Sequence, residues 1–134
     1  MSKRSVLPAI LAAVLAFPAL AERDLVPSLD NAPEVCVDRP AEPDWMQNIA
    51  LREAYKRVLV QDIYRAQNLE RIVEEGNCDC QTRFPSWNAA ETLLFERFAT
   101  AERWEMLEAS EDFNRRANAA RPEAMTICQA AGNW

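Results

Sequence analysis

The densest chemistry in the sequence is Cys78-Asp79-Cys80, two thiols one residue apart. Arg83 follows closely, and Ser86 stands where it can start a helix. A positive charge and a helix N-terminus both lower a thiol pKa, so the cluster has the makings of a thiol–disulfide redox site. Thiolates here would also suit copper(I), with Met46, Met106 or Met125 as soft partners. Two features weigh against these uses. The familiar oxidoreductase motif spaces its cysteines by two residues and belongs to a βαβ context. The methionines fall at helical spacings, where core packing accounts for them.

A structural use of the cysteines accounts for more. Cys36, Cys78, Cys80 and Cys128 are the full complement of four. An even set in a small exported domain argues for two disulfides. Export is written at the front of the chain. Lys3 and Arg4 precede an apolar run from Val6 to Phe17, and Ala19-Leu20-Ala21 gives a small-x-small site before Glu22. These are the parts of a secretory signal peptide over residues 1–21, in order. The run is shorter than the roughly 20 residues a bilayer span requires. The expectation is cleavage after Ala21, no membrane insertion thereafter, and a periplasmic or secreted protein.

Other chemistries lack their residues. The sequence contains no histidine, which removes His-bearing zinc sites, c-type haem attachment and a His general base. Gly-rich phosphate loops and nucleophile elbows are missing as well. Glu74-Glu75 and Glu111-Asp112 are adjacent helical residues that point apart, so they read as solvated faces. We expect a non-catalytic protein with no catalytic residue, no metal and no cofactor.

The formal net charge is −6, and loss of Lys3 and Arg4 with the signal makes the chain more acidic still. Such a chain repels nucleic acid and anionic lipid, leaving a protein as the expected partner. Arg83, Phe84 and Trp87, beside the cysteine pair, are the candidate partner-binding residues, because Arg and Trp are enriched in interface hot spots. The competing use of these rings is a hydrophobic plug that closes the tip.

Helices must position these groups. Only Gly76 and Gly132 are glycine, too few for a sheet with tight hairpins. Residues 22–44 hold Pro27, Pro33, Pro40 and Pro43 and read as an extended Pro-rich arm with one fixed point, Cys36. Residues 45–134 read as the helical domain. Trp45, Ile49, Tyr55, Leu59, Ile63, Ala66, Leu69 and Val73 recur at three- and four-residue steps, predicting an amphipathic helix from Trp45 to Glu75 with Asp44 as N-cap. Gly76-Asn77 ends it. Ser86 caps a second helix from Trp87, running to Asn118 or breaking near Thr100, and Pro122 opens a short last helix. The fold class is all-α: an antiparallel helical hairpin of two long helices, with a short C-terminal helix and the arm stapled by disulfides.

Two disulfide patterns stand open. An unbroken helix from Trp45 to Glu75 is ~46 Å long, whereas the residues from Cys36 to Asp44 reach at most about 27 Å. With that helix whole, Cys36 pairs with Cys128, and Cys78 with Cys80. If it kinks or breaks, each tip cysteine staples a different segment, Cys36 or Cys128. The leading functional expectation is a non-catalytic exported interaction protein, of the kind that serves as an accessory component of a bacterial envelope assembly. The alternative is a thiol-redox or copper-handling protein acting through Cys78 and Cys80.

Overall fold

The computed structural model describes Cys36 and residues 39–134, so the signal segment and most of the arm lie outside the described residues. The described part is helical: α1 (Asp44–Gln47), a 3-10 turn (Leu51–Glu53), α2 (Ala54–Glu75), α3 (Cys80–Arg83), α4 (Asn88–Arg97) and α5 (Arg103–Ala130).

The first expected helix is broken. Asn48 donates both its backbone N–H (3.0 Å) and its side-chain amide (2.8 Å) to the Asp44 carbonyl, closing the first turn on itself. Such local side-chain bonds compete with helix continuation. Ala50 is extended, at φ −63° and ψ 142°, before the chain re-enters α2. The break lets α1 fold back. Met46 becomes fully buried, and Trp45 donates to Glu91 (2.7 Å) while its ring tilts against Phe95 at 5.6 Å. Tertiary packing has overruled a good helical period.

α2 buries Leu59, Val60, Ile63, Ala66, Leu69 and Ile72 along one face. Gly76 ends it in the left-handed region at φ 62°, donating to the Ile72 carbonyl, the conformation that favours glycine there. At the start of α4 the expected Ser86 cap is not formed; Ser86 is exposed, and Trp87 occupies the cap position without a side-chain cap bond. The chain does break near Thr100. Glu102 and Glu105 form a reciprocal capping box that starts α5, satisfying donors at the helix start that lack intrahelical partners.

α5 then runs through Pro122, which does not open a separate helix. A proline inside a helix deprives the carbonyl four residues earlier of its donor. Here that residue is Asn118, which is exposed, as is Pro122, so water can take the missing bond.

The long helices are therefore α2 and α5, and they do not make an antiparallel hairpin. Ser110 donates to Asp62, Arg116 to Glu70, and Cys128 bonds Cys78, so residue numbers rise together along both. α2 and α5 run parallel. α4 provides the return stroke: Trp87 stacks on Tyr64, and α4 descends to Phe95 beside Trp45. At ~15 Å, α4 is too short to match the ~33 Å of α2. The break after it turns the chain a second time and sends α5 back towards the tip.

The disulfides follow this topology. Cys36 bonds Cys80 and Cys78 bonds Cys128, the pairing open to a broken first helix. Cys36–Cys128 and Cys78–Cys80 are not formed. The reach limit assumed that the arm starts at the foot of an unbroken helix. Instead Glu42 accepts from Arg57 and Gln61, already partway up α2, and the Pro40 carbonyl accepts from Trp87 (2.8 Å). The chain from Glu42 back to Cys36 spans up to ~20 Å, comparable to the ~22 Å rise from Gln61 to Gly76. Among the described residues no helix is long and apolar enough to cross a membrane.

Candidate functional site

Three elements meet at the tip, and both disulfides fasten them there. Asp79 accepts from the Thr82 backbone N–H (2.7 Å) and so caps α3. Those bonds, with one from the Asn77 side chain, hold the Asp79 carboxyl below its usual 3.8. Cys78 and Cys128 are buried, whereas Cys80 and Cys36 are half-buried.

The turn that follows α5 brings the C-terminal residues into this cluster. Gly132, at φ 75°, lets Asn133 turn back so that its N–H reaches the Cys128 carbonyl at 2.8 Å, while the Gly132 N–H reaches Gln129. This is the paired bonding of a Schellman cap. The buried Asn133 side chain donates to the Cys78 carbonyl at 2.7 Å. Trp134 is thereby laid against the tip.

A cleft of about 530 Å³ opens beside it. Among the described residues its charged lining is four arginines, Arg39 from the arm, Arg65 from α2, Arg83 from α3 and Arg121 from α5, against the single carboxylate of Asp62. Asp62 already accepts from Ser110. Every ion pair found among the described residues involves other cations: Lys56, Arg57, Arg115 and Arg116. Arg83 lies between two rings, 4.9 Å from the Phe84 centroid and 5.0 Å from that of Trp134. Arg121 takes a position 5.2 Å from the Trp134 centroid. Burial pulls the Arg83 guanidinium down from its usual value. Arg65 bonds Asn118 through one terminal nitrogen, but its Nε is sealed from solvent and has no partner.

The three sequence-derived contact residues thus part company. Arg83 and Phe84 are half-buried at the cleft wall. Trp87 is 4% exposed, stacked on Tyr64 at 4.0 Å and bonded to the arm. It works as the plug and presents no contact surface. Tyr64 is locked from the other side by its bond to the Pro85 carbonyl, and burial raises its phenol.

Cys78 and Cys80 each bond a different segment, so they do not face each other as a dithiol. Met46 and Met106 are buried in the core. Among the described residues no group of three or more Cys, Asp or Glu side chains is arranged to hold a metal.

Sequence reasoning missed Arg39, Arg65 and Arg121. Arg39 stands in the Pro-rich arm, Arg65 among the charged positions of α2 and Arg121 just before Pro122, and it takes the paths of both the arm and α5 to gather them. Trp134 carried a signal, as one of four tryptophans in a small chain.

Comparison with protein-family models, curated proteins and solved structures finds no match to this chain.

Proposed function

We propose that this chain is a non-catalytic, exported interaction protein, periplasmic or secreted, that receives a partner protein at the tip cleft through Arg83 and Phe84. One observation carries the reading: a guanidinium held between two aromatic rings at the wall of an open cleft, with no carboxylate partner among the described residues. A stacked arginine has lost part of its conformational freedom before any partner arrives, which favours its use in recognition. Two disulfides are compatible with an oxidising compartment, and the signal-like residues 1–21 point the same way.

Two measurements test it. N-terminal sequencing of the exported form should begin at Glu22; a form that retains Met1 and the apolar segment contradicts export by cleavage. In-cell crosslinking should recover a partner with the wild-type chain and lose it with Arg83→Glu at an unchanged melting temperature. Equal recovery by both chains would refute the cleft as the contact site.

A further inference from the structure

An acidic chain that gathers four arginines in one cleft has arranged its charge against its own average. Like charges brought together repel unless an anion sits among them. From this we infer that the cleft binds an extended acidic segment of the partner, its carboxylates meeting Arg39, Arg65, Arg83 and Arg121 and an apolar side chain settling against Phe84 and Trp134. The inference rests on the interaction reading above and names the chemistry of the partner.

Shape separates this occupant from a single small oxyanion. The lining positions on α2 run from Gln61 to Ile72, a rise of ~17 Å. That matches about five residues of extended chain at ~3.3 Å each. The arginines come from the arm, α2, α3 and α5, so several carboxylates spaced along a chain can each meet one. Arg65 lines the cleft from α2, and a carboxylate entering there can meet its guanidinium in the paired geometry that suits that group. The wall is also mixed in character. Trp134 remains 39% exposed, which leaves apolar surface beside the charges.

The probe is a fluorescein-tagged six-residue peptide of alternating Glu and Phe, titrated against the intact disulfide-bonded protein by fluorescence anisotropy. Saturable binding that weakens as salt rises is expected. Arg83→Ala and Arg121→Ala should each weaken it roughly tenfold or more. Arg39→Ala should also weaken it, and as an exposed residue it leaves the fold intact should the other variants be damaged. Arg115→Ala, which removes a guanidinium paired with Asp112 outside this cleft, should change nothing. A Gln/Phe peptide that binds equally well would overturn the inference. So would inorganic phosphate that binds as tightly as the Glu/Phe peptide, since the cleft would then be a small-oxyanion site. If Arg83→Glu abolishes partner recovery while no acidic peptide binds, this inference fails and the interaction reading stands.

Discussion

The Arg83 guanidinium lies 5.0 Å from the centre of the Trp134 ring, joining α3 to the last residue of the sequence. The contact exists because α5 runs parallel to α2 and ends at the tip, where Asn133 bonds the Cys78 carbonyl. The Cys78–Cys128 disulfide fastens the end of α5 to this part of the tip. Contacts between aromatic rings and cations gain strength as water is removed, so anything that loosens this end should weaken the cleft before it melts the bundle.

Peptide mapping under non-reducing conditions should link Cys36 to Cys80 and Cys78 to Cys128. The bonds close stretches of 44 and 50 residues, each worth about 4 kcal/mol in the chain-entropy model. Cys78→Ser and Cys128→Ser should destabilise alike, with the double variant little worse than either. Under graded reductant, Cys36–Cys80 should open first because its sulfurs belong to half-buried residues, whereas Cys78 and Cys128 are 1% and 0% exposed. Alkylation of Cys78 ahead of Cys80 would contradict the burial pattern.

Trp87 and Phe84 should separate cleanly on truncation. Trp87→Ala removes a buried ring stacked on Tyr64 and frees the arm at Pro40, a loss of roughly 3–5 kcal/mol for a large core aromatic. Phe84→Ala removes a half-buried cleft wall and should cost clearly less. Denaturant melts of the two variants measure the difference; equal losses would make Phe84 a core residue.

Pro122 is a built-in weakness of α5. It is exposed and interior to a helix of 28 residues. Proline there forgoes a backbone bond and strains the preceding turn, at a cost of ~3 kcal/mol in an unadapted helix. Pro122→Ala should raise stability by roughly 1–3 kcal/mol with little change in helix content. A drop in the melting temperature would mean that the turn before Pro122 is adapted to it.

The Asp79 cap should leave a signature in acid. Its bonds to Thr82 and Asn77 lower the folded-state pKa beneath 3.8. A depressed carboxylate stabilises the fold above its unfolded pKa and loses that contribution as pH falls through the folded value. The wild type should thus lose more melting temperature than Asp79→Asn between neutral pH and the region below 3.8. Parallel curves for the two proteins would show that the cap does not persist in solution.

Much of the secondary structure was legible in the chain alone. The apolar period of residues 54–75 and the stop at Gly76 are local events, set by side-chain spacing and by the φ freedom of glycine, whereas the sequence left open whether the chain breaks near Thr100. The four cysteines announced two bridges without fixing their pairing. What the sequence could not determine was direction. Whether Asn48 breaks its helix depends on Met46 and Trp45 finding burial against a distant segment. Whether Pro122 starts a helix or sits inside one depends on which side of α5 faces water. The break at Asn48 folds the arm along α2, and the second break near Thr100 sends α5 back parallel to it. Together these turns bring Arg39, Arg65 and Arg121 to the cleft that Arg83 lines, although spacing along the chain singled out Arg83 alone. Spacing along a chain encodes which face of a helix is apolar. Where that face is buried, and what charge it meets, is decided by long-range packing.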